Sequence, residues 1–196
     1  MIALEISPIT DFSHRGNCQA ASQAGSGASA NGIWAGHINH IKIDQCEILI
    51  ILIWVVMKRV LLTGAGGGIG KRMRRELAGV YPTLRVSDVA DLGEAAPGEE
   101  IVLGDICSPD DRKRMVDGVD GIIHLGGLSV ENPWDDILRV NIDGTYRLFE
   151  AAYEAGVKRI VFASSNHAVG FYPRGQILDS TDRPRPDCRY GLSKVF

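Results

Sequence analysis

From residue 57 onward, short apolar segments alternate with longer segments in which apolar residues recur every three or four positions. The short segments predict buried β-strands, and the longer ones predict amphipathic α-helices. Strands that alternate with helices indicate a parallel sheet covered on both faces, so the predicted fold class is α/β, a Rossmann-like doubly wound parallel sheet. The predicted strands are Arg59–Thr63, Leu84–Ser87, Ile101–Leu103, Gly121–Leu125 and Arg159–Ala163.

The predicted helices lie between these strands. The first covers Gly70–Gly79. The second follows Ser108, whose hydroxyl suits an N-cap, with Pro109 in the first turn and acidic residues facing the helix dipole. The third runs from about residue 133 to residue 156. The residues that recur at helical spacing in it, and are therefore expected to face the core, are Ile142, Tyr146, Phe149 and Tyr153.

Residues 1–56 differ from the rest in composition. Residues 16–32 are mostly Gly, Ala, Ser, Asn and Gln, and such a segment buries too little apolar surface to offset its ordering entropy. The apolar run Ile48–Val56 is shorter than the roughly 20 residues of a membrane-spanning helix. It is an added strand, a membrane-associating segment or, as we favour, part of a sequence outside the mature protein. We therefore predict an extension over residues 1–56 and a Rossmann domain over residues 57–196.

The overall charge gives no support to nucleic-acid binding. The chain of 196 residues has a formal net charge of -3, whereas phosphate binding draws on clustered Lys and Arg. The four cysteines are scattered, without a CxxC pair or a histidine at metal-ligand spacing, which predicts free thiols in a cytoplasmic protein without a bound metal. We expect a small-molecule partner, no nucleic acid and no membrane, and the sequence leaves a homo-oligomer open.

A glycine-rich turn, TGAGGGIG, joins the first predicted strand to the first helix. Gly64, Gly67 and Gly70 form the pattern GxxGxxG, and Gly68 and Ile69 complete the turn. In such a turn the first glycine permits a tight bend, the second lets backbone N–H groups approach a pyrophosphate, and the third lets helix and strand pack closely. The turn therefore predicts a dinucleotide-binding site.

An acid follows at the end of the second predicted strand. Asp88 suits hydrogen bonds from the hydroxyls of an adenosine ribose, and its charge would repel a 2′-phosphate, which favours NAD over NADP. Arg85 precedes it and is expected on the same face of the strand, so some tolerance of NADP stays open.

The sequence YGLSK near the end of the chain places Tyr190 and Lys194 one helical turn apart on one face. A nearby cation favours the phenolate form of a tyrosine, which makes it a usable base near neutral pH. Ser165, at the serine-rich end of the strand before it, is expected to hydrogen-bond the reacting oxygen. These three residues are the predicted catalytic set.

Several segments in this order resemble the extended short-chain dehydrogenase/reductase family, also described as NAD-dependent epimerases/dehydratases. They are TGAGGGIG, Asp88, LGDI from residue 103, HLGG from residue 124, NIDGTYRLFEAA from residue 141, and YGLSK. The resemblance implies an NAD cofactor held also by Tyr190 and Lys194. It further implies an adenine flanked by Asp105 and Ile106, and a cofactor wall formed by Leu125, Gly126 and Gly127.

Within that family, IIHLGGLSVENPWDDIL and FASSNHAVGFYPR are similar to the uronate dehydrogenase group. This resemblance implies NAD-dependent oxidation of C1 of a hexuronate, such as galacturonate or glucuronate, to an aldarolactone. The implied contacts to the sugar acid are Ser129, Ser165, Asn166 and His167. Two alternatives stay open: a sugar-nucleotide epimerase or dehydratase, and a non-catalytic NAD-binding protein.

The family pattern continues beyond the last residue of this sequence, Phe196. By resemblance, the rest of the YGLSK helix, further strands and a smaller substrate-binding part with a basic residue for the substrate carboxylate would follow. We therefore expect residues 57–196 to be a C-terminally truncated Rossmann domain.

Overall fold

The computed structural model describes residues 3–5 and 57–196. The predictions for the extension, including the apolar run at residues 48–56, lie outside the described residues, except that residues 3–5 form a strand. The proposed division at residue 57 stays a prediction.

Six strands form one sheet in the order β1-β6-β5-β2-β3-β4. The five strands from β2 to β6 are parallel, and β1 pairs antiparallel with β6. The chain moves outward from β2 to β4 and then crosses to β5 on the other side of β2, so the predicted doubly wound sheet is confirmed. The strands are β1 (Ala3–Glu5), β2 (Arg59–Thr63), β3 (Thr83–Ser87), β4 (Glu99–Ile101), β5 (Gly121–His124) and β6 (Arg159–Ala163).

Helical segments follow most of the strands. Ser108 caps the second one as predicted, its Oγ accepting the N–H of Asp111 at 3.4 Å. In the described part of the chain, no helix is both long and apolar enough to cross a membrane. The segments are α1 (Gly68–Glu76), α2 (Pro109–Val116), α3 (Trp134–Ile137), a π-helix (Leu138–Gly144), α4 (Thr145–Glu154), a 3-10 helix (Asn166–Val169) and α5 (Arg189–Val195).

Two apolar cores lie on opposite faces of the sheet. Because side chains alternate along a strand, the neighbours Leu61 and Leu62 enter different cores, and both are fully buried. Leu61 packs with residues of α2 and α4, including Met115 and Leu148. Leu62 packs on the other side, where Met73 of α1 contributes. Strand β2 is thus covered on both faces, as its unbroken apolar run predicts.

The predicted helix over residues 133–156 is interrupted by the π-helix. Its predicted core face is wrong for two residues, because Tyr146 is 60% exposed and Tyr153 is 53% exposed. Residues on the neighbouring stripe face the sheet instead, including the small Ala152. Helical spacing predicted one core-facing stripe, and the packing against the sheet buries the neighbouring one. The buried stripe consists of Ile137, Asn141, Gly144, Leu148 and Ala152.

Candidate active site

A cavity of about 790 Å³ opens at the carboxyl ends of the parallel strands. It lies where the chain reverses direction across the sheet, between β2 and β5, which is where open α/β sheets bind ligands. Every residue predicted to bind a cofactor lines it, and so does Ser129. The predicted residues along its wall are Gly64, Gly67, Gly68, Ile69, Gly70, Asp88, Asp105, Ile106, Leu125, Gly126, Gly127, Ser129, Tyr190 and Lys194.

The glycine turn is fixed by backbone contacts. Gly64 has a φ of 68°, and a Cβ there would lie 2.7 Å from the carbonyl carbon of Leu125. A Cβ at Gly70 would overlap the carbonyl oxygen of Gly64. At Gly68, the first residue of α1, an added Cβ meets no atom within 4 Å. The turn thus packs tightly on its inner side and leaves the start of α1 open to the cavity, a geometry that fits a pyrophosphate.

Asp88 lies beside this turn. Its Oδ2 accepts the N–H of Gly66 at 2.9 Å and its Oδ1 accepts the N–H of Ala90 at 3.1 Å. A carboxylate at this position of the cavity fits the ribose hydroxyls of a dinucleotide.

The expectation that Arg85 shares the face of Asp88 is wrong. Asp88 follows Arg85 by three positions, so the alternation of the strand sends the two side chains to opposite faces. The Arg85 guanidinium is buried, donates to the carbonyl oxygens of Met115 and Asp117 at 2.8 and 2.7 Å, and pairs with Glu100 at 3.0 Å. Arg85 therefore anchors the end of α2 and does not supply a charge for a 2′-phosphate.

A buried hydrogen-bond chain joins two loops of the cavity. Thr63 Oγ1 accepts the N–H of Gly126 at 3.1 Å and is hydrogen-bonded to His124 Nδ1 at 2.7 Å. The opposite nitrogen, His124 Nε2, is hydrogen-bonded to Thr145 Oγ1 at 3.1 Å. Burial, together with a smaller contribution from the charge of Lys194, lowers the pKa of His124 to about 3, so the imidazole is neutral.

Nothing in the sequence pattern singled out His124 as part of the site, since it ends an apolar strand. Phe162 stacks on its ring with a centroid distance of 5.8 Å, and Phe149 meets it edge-on at 5.8 Å. The histidine therefore occupies an aromatic pocket directly behind the cavity wall.

Helix α5 presents Tyr190 and Lys194 on one face, as predicted, and both line the cavity. Lys194 Nζ lies 5.7 Å from the centroid of the Tyr190 ring and 4.6 Å from that of Phe162. Burial of the ammonium lowers the pKa of Lys194 to about 8. The cation is thus held between two aromatic rings beside the predicted base.

Asn141 of the π-helix connects this helix to the cavity wall. Its Nδ2 donates to Ser193 Oγ at 3.1 Å, and Ser193 Oγ in turn donates to the carbonyl oxygen of Tyr190 at 2.7 Å. The Asn141 side chain also accepts the N–H of Leu128 at 2.8 Å. Neither Asn141 nor Ser193 had a predicted role, although an asparagine within an otherwise apolar helical segment is a signal that could have indicated one for Asn141.

The residues after β6 only partly occupy the positions that the sequence predicted. Ser164, rather than Ser165, lines the cavity. Ser165 Oγ caps the 3-10 helix by accepting the N–H of His167 at 3.1 Å, and it donates to Asn166 Oδ1 at 3.4 Å. The ring of His167 meets that of Tyr190 edge-on, with centroids 5.9 Å apart. Of these three predicted residues, the structure therefore brings His167 into contact with Tyr190.

Comparison with known proteins finds relatives that match about 70% of the chain. The chain is 47% identical over 139 residues to a uronate dehydrogenase of Pseudomonas syringae pv. tomato, a match covering 70% of this chain and 50% of that protein. It is 39% identical over 154 residues to an NAD-dependent glucose-6-phosphate dehydrogenase of Haloferax volcanii, covering 69% of this chain and 58% of that protein.

A solved structure is similar over the same region. A mutant uronate dehydrogenase from Agrobacterium tumefaciens, complexed with NAD, has a TM-score of 0.69 and 48% sequence identity, and the match covers 71% of this chain and 52% of that one. The chain thus spans about half the length of the uronate dehydrogenases that it matches. Residues 60–196 also match the family described as "NAD dependent epimerase/dehydratase family", and the chain belongs to that family.

Proposed function

We propose that this chain carries the NAD-binding and proton-transfer part of a dehydrogenase that oxidises C1 of a hexuronate, galacturonate or glucuronate, to an aldarolactone. The observation that carries the proposal is the placement of Tyr190 and Lys194 in one cavity with the glycine turn. The similarity to uronate dehydrogenases at 47% identity supports the choice of a sugar acid as the substrate class.

The described residues have clear tasks in this proposal. The open start of α1 at Gly68 would hold the pyrophosphate, and Asp88 would accept hydrogen bonds from the adenosine ribose. Asp105 and Ile106 would flank the adenine. Lys194 would donate to the nicotinamide ribose, and Leu125, Gly126 and Gly127 would form the wall beside it. NAD, when bound, supplies the hydride acceptor.

The reaction removes a hydride and a proton from the sugar. The C1–H bond breaks and its electron pair leaves with the hydride, while the C1 hydroxyl gives its proton to the Tyr190 oxygen and the C1–O bond becomes a carbonyl. The ammonium of Lys194 stabilises negative charge on Tyr190 before that transfer. Ser129, Ser165, Asn166 and His167 are the proposed contacts to the sugar, and Ser129 already faces the cavity.

The test mixes the full chain with NAD and either galacturonate or glucuronate and follows the absorbance of the reduced cofactor. The expected result is uronate-dependent reduction of NAD. Tyr190→Phe keeps the ring and its packing but removes the hydroxyl, so it should bind NAD with an unchanged Kd and lose roughly a hundredfold or more in kcat.

Other outcomes would replace the proposal. Turnover of a sugar nucleotide without net reduction of NAD would assign an epimerase or dehydratase, which the family description also covers. NAD binding with no turnover of either substrate class would assign a non-catalytic NAD-binding protein. A cytoplasmic location is part of the proposal, and fractionation of the source cells would check it.

A further inference from the structure

The carboxylate of Asp187 is hydrogen-bonded to His167 on the sugar side of the site. His167 Nδ1 lies 2.8 Å from Asp187 Oδ1 and 3.1 Å from Oδ2. The backbone N–H of Asp187 donates to the carbonyl oxygen of His167 at 3.2 Å, so the two residues are joined through both side chain and main chain. His167 lies in the 3-10 helix after β6, and Asp187 directly precedes Cys188, which is the N-cap of α5. The pair therefore connects these two helices.

The absence of a side chain at two glycines, Gly170 and Gly191, makes room for this pair. A Cβ at Gly170 would overlap the carboxylate of Asp187. A Cβ at Gly191 would overlap the carbonyl group of His167. Neither glycine has a positive φ, so close approach, and not backbone conformation, explains the absence of a side chain at both positions. The sequence around the pair is thus shaped to let the two segments meet.

The contact selects one tautomer of the neutral imidazole. An ionised carboxylate only accepts hydrogen bonds, so the proton of a neutral His167 is on Nδ1, and Nε2 is the nitrogen left to act as an acceptor. The hydrogen bond from His167 lowers the pKa of the Asp187 carboxyl, which keeps the carboxylate ionised at neutral pH. The ring so oriented lies edge-on against Tyr190.

We propose that Asp187 is a positioning residue that holds His167 in its Nδ1-protonated form against Tyr190 and presents Nε2 to a hydroxyl group of the substrate. The role in turnover rests on the proposed function, whereas the hold on His167 does not.

The first test measures which nitrogen of the His167 imidazole carries the proton. Nitrogen-15 NMR of the full chain, with the His167 signal assigned by its loss in His167→Gln, should show a protonated Nδ1 and an unprotonated Nε2. Asp187→Ala should shift His167 toward the Nε2-protonated form. Asp187→Asn, which keeps an acceptor oxygen, should retain much of the wild-type pattern. A wild-type His167 protonated on Nε2 would overturn the proposal.

The second test separates positioning from folding. Asp187→Ala should lower kcat/KM for the uronate roughly ten- to a hundredfold with an unchanged Kd for NAD, because a small displacement at the reacting atoms is costly. Asp187→Asn should recover part of the loss. Asp143→Ala is the matched control, since Asp143 pairs with Arg147 at 2.8 Å on an exposed helix face away from the cavity.

The two readouts distinguish the failures. If Asp187→Ala changes the imidazole nitrogens but leaves kcat/KM equal to that of the wild type, the positioning role is wrong and the proposed function stands. If the wild type oxidises no uronate, the proposed function is wrong, and the nitrogen signals still decide whether Asp187 controls His167.

Discussion

The glycine-turn side of the cavity is held by buried contacts, whereas the sugar side is held by hydrogen bonds between partly exposed side chains. Thr63 and His124 behind the turn are almost completely buried, and a Cβ at Gly64 or Gly70 would overlap backbone atoms. On the sugar side, the His167 side chain is 47% exposed although it is bonded to Asp187.

This difference separates two ways of building one site. Close-packed backbone at Gly64 and Gly70 leaves no room for a methyl group, so a substitution of either glycine should disturb folding itself. Polar pairs near the surface contribute little to the free energy of unfolding, because water competes for both partners. Substitutions of His167 or Asp187 on the sugar side should therefore change chemistry far more than stability.

The largest effect is expected at Gly70. Gly70→Ala places a methyl group where it overlaps the carbonyl oxygen of Gly64, and we expect a loss of roughly 3 kcal/mol or more in the free energy of unfolding. Gly68→Ala is the matched control, since its methyl group meets no atom within 4 Å, and it should change this free energy by less than about 1 kcal/mol. Urea unfolding measures both, and equal losses would contradict the comparison.

A second prediction concerns the buried His124. Its pKa in the folded chain is about 3, below the ordinary value of 6.5. As the pH falls below 6.5, the histidine therefore binds a proton in the unfolded chain but stays neutral in the folded chain. Stability from this residue is complete above pH 6.5 and is lost as the pH falls toward 3. Between pH 7 and pH 5 the wild type should lose about 2 kcal/mol more than His124→Gln.

The control for that measurement is a polar substitution at the surface. Asp91 on the exposed loop after β3 accepts the N–H of Gly93 at 3.0 Å and lies away from the buried histidine, so Asp91→Asn serves as a mutational control for the measurement. Urea unfolding at the two pH values compares the three proteins. A His124→Gln variant with the same acid sensitivity as the wild type would contradict the assignment of a neutral buried imidazole.

A third, smaller effect is expected at Asp88. Asp88→Asn removes the charge that would repel a 2′-phosphate, and the ratio of NADP affinity to NAD affinity should rise about tenfold. Asp91→Asn is the control, because Asp91 also accepts a backbone N–H, from Gly93 at 3.0 Å, but lies outside the cavity wall. Calorimetric titration with both cofactors gives the ratio, which should not change in the control.

The last prediction changes no residue and concerns the pKa of the Lys194 ammonium. Its pKa of about 8 predicts that labelling of Lys194 by an amine-reactive reagent reaches half its maximal rate near pH 8. Mass spectrometry of the labelled peptide measures the rate, and addition of NAD should slow it if the ammonium contacts the nicotinamide ribose. A midpoint near the ordinary value of 10.5 would show that the side chain is solvated.

Much of the fold could be predicted because its signals are local. The boundaries of β2 and β6 agree with the sequence prediction, since each strand is a short apolar run ended by small or polar residues. β4 begins two residues before the predicted strand, because the charged Glu99 and Glu100 interrupt the apolar pattern by which a buried strand is recognised. Glu99 forms an ion pair with Arg74, and Glu100 forms one with Arg85.

The sequence by itself determined the elements whose requirements are met within a few residues. The glycine turn needs absent side chains, and the spacing of Tyr190 and Lys194 needs one helical turn, so both could be recognised from their order along the chain. The family match over residues 60–196 agrees with that order.

Only the tertiary structure decided which distant groups meet. The pairing of His167 with Asp187 spans 20 residues and that of Thr63 with His124 spans 61, and no local spacing encodes either contact. The face of α4 that is buried likewise depends on what the sheet places opposite it. The physical reason is that hydrogen-bond partners and packing space are set by the whole fold, whereas turns and helical spacing are set by neighbouring residues.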